Sequence, residues 1–186
     1  QFNFKTGILY ENWGKKKDKI FHEFPLHALS IHSDTSKFQD VILKSGWFKV
    51  THKKIIDPNS VDADWIFDCR GKPQSFENYN MLESPLNSAL LSVEKVHDKD
   101  QHWTRSVATP DGWAFIIPNT DSTTSYGYLY NRNITTQLKA RENASSLFNM
   151  TSAKSLNFNS YMAKEPIQER VILNGNKLFF YEPLEA

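Results

Sequence analysis

A chain of 186 residues with 39% hydrophobic and 13% aromatic side chains can bury a sizeable core, which excludes an intrinsically disordered segment. Its 22 basic and 21 acidic residues leave a net charge of +1, so no global field draws it to nucleic acid or to an anionic membrane. No run approaches the roughly 18 consecutive apolar residues of a membrane span, and a single cysteine, Cys69, excludes an internal disulfide framework and favours a reducing, cytoplasmic setting.

In chain order, residues 4–12 (FKTGILYEN) alternate as a strand, with Phe4, Thr6, Ile8 and Tyr10 on one face and Lys5, Gly7, Leu9 and Glu11 on the other. Spacing alone reads Lys5 as an edge-strand lysine in water. After a lysine-rich turn, residues 21–31 (FHEFPLHALSI) carry His22 and His27 as polar contacts; no set of His, Cys and carboxylates recurs at metal-ligand spacing. From Asp34 the pattern turns helical, with Ser33 or Asp34 as cap, Phe38, Val41 and Ile42 on one packing face and Gly46 as the stop. Residues 47–56 read as a strand, Asp57-Pro58-Asn59-Ser60 as a turn, and residues 63–69 (ADWIFDC) as a strand covered on both faces, with Cys69 buried and inert.

Residues 72–80 are polar and loop-like, and residues 87–96 and 104–109 read as short strands. They feed a hairpin: Trp113 to Pro118 and Tyr126 to Tyr130 are apolar-aromatic runs joined by an Asn/Asp/Ser/Thr loop, with Gly127 where a close backbone or ligand approach tolerates no side chain. A helix follows from Thr135 or Thr136 to Phe148, with Leu138, Ala144 or Arg141, and Leu147-Phe148 on one buried face. Strands over residues 158–161 and 170–173 come next, and Asn174-Gly175-Asn176 reads as a tight hairpin turn before residues 178–181. The seven glycines form no G-x-G-x-x-G, so the chain has no phosphate-cradling turn of its own, and both ends read as cuts through a longer polypeptide.

Three motifs stand in one order: F-K-T-G-I-L-Y-E-N-W at residues 4–13, G-W-A-F-I-I-P at 112–118 with Y-G-Y-L-Y after it, and F-Y-E-P-L-E-A at 180–186. They resemble the F-K-x-x-I-x-F-x-N-W strand, the W-x-W-x-I-P segment and the F-x-E-P-L-E-S/A run of flavin-dependent halogenases of the tryptophan-halogenase family. Phe115 stands where the second Trp of that segment usually is. The F-H-E-F segment, His32-Ser33-Asp34 and Asp68-Cys69-Arg70-Gly71 are similar to further family features, with Arg70 at a position usually Ser or Thr.

The resemblance implies an α+β fold, in which a mixed and antiparallel β-sheet with flanking helices forms the substrate side of a FAD-dependent, monooxygenase-like halogenase. Residues 1–186 would be a single partial domain, 1–71 returning to the FAD domain and 72–186 carrying the substrate-side sheet and helix. Reduced FAD from a separate flavin reductase, with chloride or bromide, would yield hypohalous acid for a small aromatic substrate. The catalytic pair implied is Lys5 and Glu185. Trp113, Phe115, Ile117 and Pro118 would form the substrate pocket and the partition from the flavin, and Asp68 and Gly71 would touch the cofactor. A second reading is an aromatic hydroxylase of the same broad fold; a third is a small-molecule-binding module without catalysis. The aromatic residues Trp103, Trp113, Phe115 and Tyr128 suit an aromatic substrate or a core equally.

Overall fold

The computed structural model describes residues 2–16, 18–25, 30–95, 101–119, 123–148, 150 and 152–182. Two compact units make up the chain, one from Gln1–Lys49 and Ser88–Asn157, the other from Val50–Asn87 and Phe158–Ala186. The strands, in chain order, are β1 (Phe2–Lys5), β2 (Gly7–Trp13), β3 (Asp18–Glu23), β4 (Ser30–Ser33), β5 (Ile66–Asp68), β6 (Tyr79–Leu82), β7 (Ser88–Lys95), β8 (Trp103–Thr109), β9 (Gly112–Pro118), β10 (Thr123–Tyr130), β11 (Lys154–Asn157), β12 (Ser160–Ala163), β13 (Ile167–Gln168), β14 (Val171–Leu173) and β15 (Phe179–Phe180). The α-helices among the described residues are α1 (Thr35–Lys44) and α2 (Gln137–Phe148). The fold is α+β with mixed sheets, as the resemblance implies.

The first unit is organised on a seven-stranded sheet in the order β11-β7-β10-β9-β8-β2-β3, antiparallel except where β2 meets β8. Its centre is the expected hairpin: Gly112 faces Tyr130 and Pro118 faces Thr124 across β9 and β10. Alternation turns Ala114 and Ile116 to one side and Trp113, Phe115 and Ile117 to the other. On the first side, Leu90, Ala114, Tyr128 and Tyr130 pack against Ala140 and Ala144 of α2 and against Met150. The small alanines let the helix approach. Tyr128 is fully buried and donates to Asp111 in the β8–β9 turn, and Asn143 of α2 donates to the same carboxylate at 3.5 Å. Burial, and then the Asp111 hydrogen bond, push the Tyr128 phenol up to about 12, so it remains a donor. The buried stripe of α2 differs from the expected one, since Ala140 replaces Leu138, which is 70% exposed, and Leu147 is exposed too.

The single strand expected over residues 4–12 is two strands in two sheets. At Thr6 the backbone N–H donates to the His102 carbonyl at 2.7 Å, and the carbonyl accepts from Phe24 at 2.9 Å. The chain changes partners there: β1 pairs with β4, and β2 enters the large sheet between β8 and β3. Farther along β2, Glu11 is 5% exposed and held by Arg105 at 2.5 Å and Lys19 at 3.0 Å.

The second unit has two three-stranded sheets, β15-β12-β6 and β13-β14-β5. Its core gathers Tyr79, Tyr161, Ala163, Val171 and Leu173. The two tyrosine hydroxyls donate to the Lys177 and Asn176 carbonyls, each at 2.7 Å, so neither is left unsatisfied in the core. The Arg170 guanidinium donates to the carbonyls of Asn59, Val61 and Ala63 and ties the segment before β5 to the start of β14.

Several local expectations are corrected here. Strand β5 is parallel to β14, but it has only three residues, and Trp65 and Phe67 are 59% and 62% exposed. It is covered on one face, and Cys69 beyond it is exposed rather than buried. Residues 47–56 form no strand: Lys49, Thr51 and Lys53 alternate with Val50, His52 and Lys54, so neither face is apolar, and no described strand pairs with them. Asn174 caps a short 3-10 turn, Gly175–Lys177, instead of closing a hairpin, because β14 and β15 lie in different sheets. Strand β6 occupies part of a stretch expected to be loop. Asp34 caps α1 as expected, accepting from Ser36 and Lys37, yet Phe38, Val41 and Ile42 are exposed in this chain.

Candidate active site

Strand β1 ends on Lys5, opposite Ser30 of β4, and His32 two residues along β4 projects to the same face of this two-stranded ribbon. Lys5 is half-buried, not a lysine in open water. Its Nζ lies 5.4 Å from the centre of the Phe24 ring, a cation–π contact. Burial holds the Lys5 amine below its ordinary 10.5. Burial, followed by the Lys5 charge, holds His32 below 6.5. Near neutral pH the imidazole is therefore uncharged, and Lys5 has a larger free-amine fraction than a solvated lysine.

His32 Nε2 lies 3.5 Å from Thr104 Oγ1 on β8. His32 also lines a cavity of about 400 Å³ together with Asp34, Val93, Ile117, Asn119 and Thr123. The Asn119 amide donates to the Thr123 and Ser125 hydroxyls at 2.9 and 3.0 Å and fixes the polar end of the hairpin. His32 thus joins two separate sequence motifs, the one holding Lys5 and the one holding Ile117. Trp113 and Phe115 follow on the same side of β9, their ring centres 5.9 Å apart and the planes at 53°. Trp113 and Pro118 are buried, and Phe115 is half-buried. Ser106, the register partner of Phe115 on β8, has a buried hydroxyl with no hydrogen-bond partner among the described residues. Tyr128 stands on the other side of the sheet, in the core, and Trp103 packs edge-on against Phe21 at 5.9 Å. Phe24 and Thr104 gain their place through long-range pairing, and only the F-H-E-F segment gives a sequence signal for the first.

In the second unit, Asp68 is 4% exposed and both its oxygens accept from Arg70, each at 2.8 Å. Arg70 also donates to the carbonyls of Ile55 and Ile56. Gly71 has φ +77, where a side chain would be strained. Asp68 and Arg70, though not Gly71, line a cavity of about 790 Å³ together with Lys54, Lys72 and Lys177. The lysine charges fit one wall of a site for an anionic dinucleotide, while the phosphate-cradling turn is absent from the sequence. Glu185 and His27 lie outside the described residues. Among the described residues no cluster of His, Cys, Asp and Glu could hold a metal, and no helix is long and apolar enough to cross a membrane.

Glu11 and Asp68 give the pH response of the two units. For Glu11, burial raises the carboxyl, but hydrogen bonds from Arg105 and Lys19 outweigh it and hold the group below 4.5; for Asp68, the Arg70 hydrogen bonds hold it below 3.8. A carboxyl with a depressed folded pKa stabilises fully above its unfolded value and loses that contribution as pH falls through the folded one. Melting temperature is expected to fall below pH 4.5 and to continue falling below 3.8. Arg70→Ala should flatten the lower part of that curve. A level melting temperature from about pH 5 to about pH 3 would refute the pairing.

This architecture is that of flavin-dependent halogenases. Xcc4156, a flavin-dependent halogenase from Xanthomonas campestris, matches with a TM-score of 0.78 at 17% identity, over 99% of this chain and 53% of that one. BrvH, a flavin-dependent halogenase from Brevundimonas sp. BAL3, matches at 0.77 and 14% identity, over 99% and 55%. The tryptophan 6-halogenase SttH from Streptomyces toxytricini matches at 0.77 and 13%, over 99% and 54%. The chain spans about half the length of these proteins. The tryptophan halogenase family model matches residues 28–186, and the chain belongs to that family. That range includes Asp68, Gly71, Trp113, Phe115, Ile117, Pro118 and Glu185, whereas Lys5 precedes it. No curated protein matches the chain.

Proposed function

We propose that this chain is the substrate side of a FAD-dependent halogenase that regioselectively halogenates a small aromatic compound. The observation that carries the reading is the half-buried amine of Lys5, set over Phe24 and beside a neutral His32, in a chain of the tryptophan halogenase family. Oxygen activation and the oxidation of chloride or bromide to hypohalous acid are the chemistry of reduced FAD when bound, with a separate flavin reductase supplying the reduced form. Asp68, Gly71 and the lysines around them would hold part of that cofactor, and the whole protein would be needed, this segment being inactive alone.

Lys5 holds hypohalous acid beside the reacting carbon, either donating an N–H to its oxygen or, as the free amine, taking the halogen as the halogen–oxygen bond breaks and the hydroxide leaves as water with an amine proton. Glu185 polarises the oxidant and takes up the proton that the ring releases. Trp113, Phe115, Ile117 and Pro118 separate the aromatic compound from the flavin side, and their apolar bulk excludes water from the path. The setting is cytoplasmic, consistent with one unpaired cysteine.

Incubating the full-length protein with FAD, a flavin reductase, NADH, bromide and a panel of indoles, pyrroles and phenols tests this reading. A product carrying the bromine isotope pair in its mass spectrum is expected. Hydroxylated products alone would move the assignment to an aromatic hydroxylase and overturn the proposal.

A further inference from the structure

Gly127 on β10 faces Phe115 across the β9–β10 pair. A methyl group built at Gly127 would lie 2.1 Å from Cε1 and 2.2 Å from Cζ of the Phe115 ring, far inside van der Waals contact. The ring therefore occupies the volume that any side chain at this position would take. Gly127 is not among the glycines with positive φ, so its backbone conformation is open to every residue. What the missing side chain supplies is room for the ring. The close approach at Gly127 comes from the side chain of Phe115, a residue of the proposed partition, rather than from the backbone or ligand expected there. Trp113 stands 5.9 Å from the same ring, and Ser106 is its register partner on the other flank.

We propose that Gly127 is a positioning residue of the partition: its empty side-chain position seats the Phe115 ring on the sheet, and that seating sets how completely the aromatic substrate is kept from the flavin side. The inference rests on the halogenase reading given above. It predicts that a side chain at Gly127 acts only through Phe115, lifting the ring off the sheet.

Two measurements on the full-length protein test it, the first without flavin. Replacing glycine by alanine at a negative φ ordinarily raises stability, because the unfolded chain has fewer conformations to lose. Gly127→Ala is expected instead to lower the melting temperature, and in the Phe115→Leu background, where the shorter side chain can yield, the same change should be neutral or raise it. The second measurement is brominated product formed per reduced flavin consumed. Gly127→Ala should lower that ratio by about 10-fold to 100-fold at unchanged FAD affinity, the scale of a misplacement of about 1 Å near reacting groups. Phe115→Leu should lower it as well, and the double variant no further than Phe115→Leu alone.

An unchanged ratio in Gly127→Ala, or losses that multiply in the double variant, would overturn the proposal. If Gly127→Ala does not fold, the Phe115→Leu background relieves the clash, and the two variants built on it carry the comparison. A wild-type protein that brominates none of the aromatic probes would sink the halogenase reading and this role with it. That outcome is distinguishable because the flavin-free melting pattern would still hold.

Discussion

Lys5→Ala in the full-length protein is expected to abolish halogenation while flavin binding and melting temperature stay near wild type. Removing a group that acts directly on the reacting atoms costs up to about 10⁶-fold in kcat, so turnover should fall to background. The fold should survive, because alanine removes a half-buried ammonium that was costly to desolvate, and the contact with Phe24 is a single cation–π pair. Lys5→Arg keeps the charge and the ring contact, but a guanidinium does not deprotonate. It is expected to stay inactive if the free amine takes the halogen, and to recover part of the rate if a charged donor suffices. Product formation at wild-type rate by Lys5→Ala would remove Lys5 from the mechanism.

Glu185→Gln should lower kcat by about 10² to 10⁴, the contribution of a positioned acid or base. The amide keeps the size and loses the charge that polarises the oxidant and the capacity to take the ring proton, so kcat should fall while KM changes little. Just before that segment the chain is anchored: Tyr181 donates to the Glu83 carbonyl at 2.8 Å, and Glu182 is 1% exposed. An unchanged kcat in Glu185→Gln, measured under saturating reduced flavin, would assign the proton to another acceptor.

The hairpin, the cap of α1 and the strands β7 and β8 were legible in the sequence because alternation, turn residues and a capping aspartate are local signals. The break at Thr6 was not, because the alternating pattern runs through it unmarked and only His102 and Phe24, elsewhere in the chain, reveal the change of sheet. The buried stripe of α2 is not legible for a related reason: close packing on Tyr128 and Tyr130 selects the alanines over the leucines, a choice made by the partner surface. At the site, the motifs named Lys5 and Ile117, but nothing local announced that His32 stands between them, or that Phe115 fills the position left open by Gly127.

The one parallel pairing of the large sheet bears on how the molecule assembles. Strands β7 to β10 can form by neighbouring turns and short connections, whereas the junction of Thr6 with His102 closes a separation of 96 residues. Contacts so distant along the chain are entropically late and slow. During synthesis the segment bearing Lys5 emerges before β8 and finds its seat only after β8 has been made. Until then the edge of β2 that β3 does not cover is open to other chains. Conditions that slow completion of the sheet would thus yield molecules with an intact α2 core and no assembled lysine, a population that far-ultraviolet spectroscopy would count as folded and an activity assay would not.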